Sequence, residues 1–270
     1  MDSYLVKFGG NALRGREDML RLAAEVADAI RRRRRVVIVH GGGPEISAEL
    51  DRRGIPTTKI AGVRVTDERV LEVAEEVLRG INAEMVAALE ESGVRAVGMS
   101  GAMCSLCRRK PPSEAVVGGE RVSVDLGLVG EVESVDSRMI SDLLAEKVVP
   151  VIYPIGADGS GARLNVNADT MAAGIAAGIG CREMIAVTDV PGVLADVSDP
   201  SSKIDVLSLA DADGMIADGT ISGGMVPKVE ACRDALAAGV ARVRMVSGRD
   251  GGSMISDAIK GARRGTVIVR

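Results

Sequence analysis

Aromatic side chains are almost missing from this 270-residue chain, which has one Phe, two Tyr and no Trp. The stacking platforms that hold single-stranded nucleic acid are therefore lacking, and the core has to be assembled from Ala, Val, Ile, Leu and Met. Histidine occurs once, at His40. The four cysteines are too few for a disulfide framework in a chain this long. Cys104 and Cys107 form one C-x-x-C, "CSLC", but a structural zinc site needs a second ligand pair, so neither metal nor redox work is expected. Cys181 and Cys232 read as small core residues. No stretch reaches the ~20 apolar residues that span a bilayer. A polar, glycine-rich turn interrupts the N-terminus by residue 9, unlike a signal peptide, so a cytoplasmic chain without a membrane partner is expected. Excess charge is missing as well: 34 basic against 38 acidic residues give a net charge of −4. That leaves no long-range field for a polyanion such as nucleic acid.

The composition, 46% hydrophobic and 27% charged, suits one large soluble domain or two lobes. Apolar stretches of four to seven residues alternate with amphipathic ones: "SYLVKF" then "REDMLRLAAEVADAIRR", "RVVIVH" then "PEISAELDRRG", and "RAVGMS" after a long helical run from Asp67. Further on, "SRMISDLLAEK" leads to "VVPVIYPI", "ADTMAAGIAAGIG" to "EMIAVTDV", and "MVPKVEACRDALAAG" to "ARVRMVSG", with "GTVIVR" closing the chain. This is the signature of an α/β protein, a three-layer αβα arrangement around an open, mainly parallel sheet. From about Met103 to Val135 the rhythm breaks into short, polar stretches with two prolines and four glycines. They read as hairpins projecting from the sheet, a natural substrate lid. The run Arg31 to Arg35 fits either a docking patch or the solvated end of a helix; its place before a strand favours the second, where arginines complement the helix dipole.

Four glycine-rich or polar turns fall at the C-terminal ends of expected strands, the edge where open α/β sheets bind ligands. They are Gly9-Gly10, "HGGGPE" at 40–45, "SGAM" at 100–103 and "TDVPGV" at 188–193. Several such turns converging on one edge supply backbone N–H groups able to cradle phosphates. Yet neither G-x-x-x-x-G-K-[ST] nor an opening G-x-G-x-x-G is present, which argues against a P-loop or dinucleotide site. Lysines would have to be brought to the cradle from elsewhere, and Lys7, at the end of a buried strand, and Lys228, where "SGGMVPKVEA" enters a helix, are the candidates. Taken alone, Lys7 could equally snorkel from its strand into water.

With "VKFGGNA", "VVIVHGGGPEI", "GVRVTDE", "AVGMSG", "GLVGEV", "NVNAD", "TDVPGVL" and "GGMVPKVEAC" in this order, the chain resembles the amino acid kinases, and within them the acetylglutamate kinase family. The resemblance implies transfer of the γ-phosphoryl group of ATP, with Mg2+, to a carboxylate. In it Lys7 and Lys228 match the two transition-state lysines, and Asp169 would hold both ammonium groups in place. Cation and N–H stabilisation with little covalent chemistry is what a phosphoryl group in transit requires. Gly42, Gly43, Arg64 and Asn165 would bind the amino acid substrate, Arg64 by clamping a carboxylate, while Asn167 supports the turn. Gly9, Gly10, the run Asp189, Val190, Pro191, Gly192, Val193 and Leu194, and Thr220, Ile221 and Ser222 match nucleotide-binding stretches. Residues 1–175 would form a substrate-binding and dimerising lobe and 176–270 an ATP lobe on one continuous sheet.

Four positions at three places depart from the family pattern: Met103 with Cys104, where relatives carry Asp-Gly; Ala61, in place of asparagine; and Ser247, in place of aspartate. The first two places flank the expected lid and bear on acyl specificity. The alternative within the family is a kinase for glutamate or aminoadipate held on a small acidic carrier protein, which Arg108, Arg109 and Lys110 could meet. A non-catalytic nucleotide-binding regulatory module is disfavoured because Lys7, Lys228 and Asp169 all remain. Only three residues precede the first strand, too few for a helical turn, so a homodimer unaffected by arginine through an N-terminal helix is expected.

Overall fold

The computed structural model describes residues 2–9, 15–60, 62–117, 120–248 and 253–270. Eight strands form one sheet in the order β14 (Val206–Ser208), β16 (Thr266–Val269), β15 (Val243–Ser247), β13 (Glu183–Thr188), β1 (Ser3–Phe8), β2 (Arg35–His40), β10 (Val149–Tyr153) and β5 (Ala96–Ser100). Neighbours run parallel except β15 and β16. The two halves of the chain meet where β1 pairs with β13.

Alternation along β1 explains the three layers. Tyr4, Val6 and Phe8 pack with α1 (Arg16–Arg31), α3 (Glu68–Glu91) and α8 (Met254–Ile259) on one face. Leu5 packs on the other, against α5 (Ala168–Gly178), α7 (Val226–Ala237) and α4 (Ser137–Ala145). Each fully buried aliphatic side chain contributes roughly 1.5–3 kcal/mol of transfer free energy. Because side chains alternate with a period of two, Lys7 shares the face of Leu5 and is directed towards α5. Two further clusters complete the core. One joins α2 (Gly43–Arg52) to α3 through Ile46, Leu50 and Leu71, and the other joins α6 (Leu209–Ala217) to α7 through Ala212 and Val229.

The region around residues 103–135 departs from the expected set of projecting hairpins. Its outer strands, β6 (Ser105–Arg109) and β9 (Val129–Val135), join β11 (Ile155–Ala157) and β12 (Arg163–Val166) in a closed four-stranded barrel. Only β7 (Ser113–Val117) and β8 (Glu120–Val124) form a separate antiparallel hairpin, and β3 (Lys59–Ile60) pairs with β4 (Val63–Arg64) in a short ribbon. The barrel closes because Cys107 turns inward: a Cβ on Gly156 would sit 2.3 Å from its sulfur, so only glycine fits there. All four cysteines are free and buried. Burial pushes the Cys104 and Cys232 thiols up to about 12 and Cys181 to about 11, which makes them inert packing groups. Among the described residues no helix is long and apolar enough to cross a membrane.

A buried ion pair ties β13 to β15. Glu183 is 1% exposed and Arg244 5%, and the Arg244 Nε lies 2.5 Å from Glu183 Oε1. Arg244 also donates to the carbonyls of Ala262 and Arg264, each at 3.1 Å, fixing the loop that leads into β16. Glu183→Ala would strand the guanidinium without its counter-charge, so urea unfolding should report a loss of about 3–5 kcal/mol. A loss below about 1 kcal/mol would mean that the pair does not hold the strands.

Candidate active site

Lys7 lies at the C-terminal end of β1, next to Val39 of β2 and Ala186 of β13. Its ammonium is 2.7 Å from Asp169 Oδ1. Asp169 is held by the start of α5: Asn167, the N-cap, accepts hydrogen bonds from the Asp169 and Thr170 N–H groups at 2.7 and 3.4 Å. A carboxylate in the first turn also suits the positive end of the helix dipole.

Two cavities meet at this ion pair. One of about 280 Å³ is bordered by Lys7, Gly9, Asp169, Thr188, Asp189 and Lys228. The other, of about 370 Å³, is bordered by Lys7, Gly9 and Asp169 again and by Gly42, Arg64 and Asn165. Lys7, Gly9 and Asp169 therefore form the wall between them. The expectation that Asp169 holds both lysines needs correction, because Lys228, in the first turn of α7, pairs with Asp189 at 3.2 Å. Each ammonium has its own carboxylate.

The second cavity is built around the start of α2. Gly42 is the N-cap, with an extended φ of −179°. A Cβ there would come within 2.8 Å of Ile81 Cδ1, so the turn packs directly on α3. Pro44 has no N–H to leave unsatisfied in the first helical turn. Arg64, 7% exposed, bonds only neutral oxygens: the Gly43 carbonyl at 3.1 Å, Ser47 Oγ at 2.7 Å and Thr57 Oγ1 at 3.5 Å. Burial pushes its pKa down. Among the described residues it makes no ion pair, so a guanidinium largely stripped of water faces a cavity without its counter-charge, the arrangement that receives an incoming carboxylate. Asn165 Nδ2 donates to Thr66 Oγ1 at 3.1 Å, and that hydroxyl donates to the Arg64 carbonyl at 2.9 Å, so these residues are positioned as one unit.

A network that sequence inspection passed over supports the glycine turn. His40 is 1% exposed. Its Nδ1 donates to the Gly41 carbonyl at 2.9 Å, and its Nε2 accepts from Asn82 Nδ2 at 3.0 Å, which also donates to the Val151 carbonyl. Asn82 lies on the buried face of α3, where the helical pattern gave it no distinction from its neighbours. Lys59, which borders the second cavity, was also missed, and Thr188, which borders the first, was named only as part of its turn.

Several expected site residues do not reach the cavities. Of the run from Asp189 to Leu194 only Asp189 borders one of the two. Val193 is buried in the small α6–α7 cluster, with its N–H bonded to Thr266 Oγ1. Ile221 joins the same cluster, while the Thr220 N–H bonds Asp218. Val190, Gly192, Leu194 and Ser222 likewise border neither of these two cavities, and Pro191 borders a separate, open one. Met103 is exposed and Cys104 buried, and neither borders the second cavity. Gly10 and Ala61 lie outside the described residues.

Known proteins resemble this chain over nearly its whole length. The model of the amino acid kinase family matches residues 3–247. An acetylglutamate kinase of Methanococcus maripaludis is 39% identical over 98% of this chain and 91% of its own. Among solved structures, N-acetylglutamate synthase from Neisseria gonorrhoeae, complexed with coenzyme A and N-acetyl-glutamate, superposes with a TM-score of 0.81 at 21% identity. It covers all of this chain, which spans 59% of the synthase. Carbamate kinase from Giardia has a TM-score of 0.69 at 18% identity, over 100% of this chain and 99% of its own.

His40 makes a test of the support network possible. Burial lowers its pKa from the usual 6.5 to about 4, so between these values the unfolded chain binds a proton that the folded chain refuses. Its contribution to stability is fully present above pH 6.5 and is lost as the pH falls towards 4, with a slope of at most ~1.4 kcal/mol per pH unit. Buried Glu25, whose pKa is raised by desolvation, acts in the opposite sense. Because His40 is the only histidine, His40→Gln should flatten unfolding free energy between pH 5 and 6.5. An unchanged slope would show that the ring is not held neutral.

Proposed function

We propose a reaction for a chain that belongs to the amino acid kinase family, in its acetylglutamate kinase branch: ATP-dependent phosphorylation of the side-chain carboxylate of N-acetylglutamate, a step of arginine biosynthesis. The observation that carries this reading is the wall of Lys7, Gly9 and Asp169 common to two cavities. One cavity has the two lysine–aspartate pairs suited to phosphates, and the other has the buried guanidinium suited to a carboxylate.

In this reading ATP enters the smaller cavity with its γ-phosphate at Lys7 and Lys228. The amino acid enters the larger one with a carboxylate on Arg64 and its acyl group towards Asn165. The attacking carboxylate is already ionised at neutral pH, so no general base is needed. One of its oxygens forms a bond to phosphorus as the bond to the β,γ-bridging oxygen breaks, and ADP takes the electron pair. The two ammonium groups offset charge on the transferring oxygens from either side, while Asp169 and Asp189 keep them aimed. Among the described residues no three acidic, histidine or cysteine side chains converge on a metal. The carboxylates beside the phosphate cavity are engaged with lysines, which fits Mg2+ arriving on ATP, where it neutralises phosphate charge.

Residues 1–175 are then the substrate lobe and 176–270 the nucleotide lobe, with the β7–β8 hairpin as the lid. A cytoplasmic homodimer completes the proposal, and the open edge of β5 offers unpaired backbone groups to a second copy. Free rather than carrier-bound substrate is favoured because Arg108 and Arg109 are already paired, with Glu131 at 2.8 Å and Asp125 at 3.0 Å.

ATP-dependent hydroxamate formation in hydroxylamine should be seen with N-acetylglutamate and be far weaker with glutamate; the reverse would overturn the substrate assignment. Lys7→Ala and Lys228→Ala should each lower kcat by roughly 10²–10³ while the fold survives. A variant retaining wild-type kcat would remove that lysine from the mechanism. Arg64→Ala should raise KM for the amino acid and leave KM for ATP little changed, and equal effects on both would count against the clamp.

A further inference from the structure

A third cavity, of about 550 Å³, lies at the opposite end of the sheet, where β2 and β10 begin, roughly 13 Å from Lys7 by strand length. Its floor is apolar, with Val36, Leu144 and Val149, and its rim is cationic, with Arg31, Arg33, Arg34, Arg35 and Lys147. We propose that this cavity is a binding site for a compact oxyanion of charge −2 or more, bearing phosphate or carboxylate groups, separate from the active site.

Three observations support it. First, the rim is not neutralised from within. Arg34 pairs with Asp2 at 2.8 Å and Arg31 with Asp28 at 3.7 Å, but among the described residues Arg33, Arg35 and Lys147 form no ion pair. Second, the Nε atoms of Arg34 and Arg35 are buried without a hydrogen-bond partner, so neither guanidinium is fully satisfied by the fold. Third, Arg33 and Lys147 are the two described residues other than glycine with positive φ, both at 59°. Each follows the end of a helix: the Arg33 N–H bonds the Ile30 carbonyl and the Arg34 N–H that of Ala29, and the Lys147 N–H bonds Leu144 and the Val148 N–H Leu143. Glycine is the usual residue at such a position, because a Cβ is strained there. A cation standing in that strained position twice, on one rim, is what a site retains for a ligand. A general preference of helix ends for positive charge accounts for Arg31 and Arg32 but requires neither the strain nor the unpartnered Nε atoms.

The test is thermal unfolding with pyrophosphate or citrate up to about 10 mM, against chloride at equal ionic strength. Both the wild type and Lys7→Ala should melt at higher temperature with the anion, by mass action. The double variant Arg33→Gly with Lys147→Gly should lose most of that shift, although its own melting temperature without ligand should rise by a few degrees as the strain is relieved. Its kcat in the absence of added anion should be unchanged. A response to pyrophosphate alone assigns the site to phosphates, to citrate alone to carboxylates, and to both to either group. No shift in the wild type, a full shift in the double variant, or a shift abolished by Lys7→Ala would overturn the proposal.

Discussion

Everything at the ligand-binding edge is organised around the 2.7 Å contact between Lys7 and Asp169. A lysine with a side chain only 10% exposed needs a carboxylate in reach, since stranding it in the sheet would cost several kcal/mol. The alternation of β1 sends Lys7 to the α5 face, and the Asn167 cap sets where α5 begins, so strand and helix together determine where the charge sits. The two cavities lie on either side of that point, and the wall between them is as definite as the pair itself.

A core so poor in aromatics packs through small aliphatic side chains, many of similar shape, which specify volume better than register. Buried polar bonds then do much of the aligning. Glu183 and Arg244 tie β13 to β15, Thr66 holds Asn165 and Arg64 as one unit, and Asn82 binds the carbonyl of Val151 and the ring of His40 at once. A Cβ on Gly98 would lie 2.0 Å from Asn82 Oδ1, so the bare backbone of edge strand β5 is what admits this amide. A glycine at the rim of the sheet thereby bears on the shape of the turn at residues 41–43.

The layers were legible in the sequence because parallel strands and amphipathic helices leave strong periods, and the long helix from Glu68 is a clear case. The barrel was not: β11 and β12 have three and four residues, too short for alternation to register, and their closure depends on Cys107 meeting Gly156 across the chain. The short helices α6 and α8 escaped for the same reason. Lys7 with its partner Asp169, Arg64 and Asn165 could be named from motifs, but the partners of Arg64, Asn165 and Lys228 could not. Which aspartate faces which lysine depends on how α5, α7 and β13 end in space, and the carboxylate beside Lys228 proved to be Asp189. Asn82 carried no signal at all, since one asparagine on a helix of 24 residues reads as ordinary surface.

Under the proposed function, the pairing of Lys7 and Lys228 each with its own aspartate also governs the idle protein. Two bare ammonium groups would make a trap for inorganic phosphate, which is abundant wherever ATP is turned over. With Lys7 and Lys228 each balanced, the unliganded cleft is close to electroneutral there, and a lone small anion gains little by entering. In the proposed mechanism a nucleotide brings the charge and the contacts along its length that recruit both cations while their carboxylates stay in place. Discrimination against the commonest competing anion is thus built into the resting state rather than into any contact with the nucleotide.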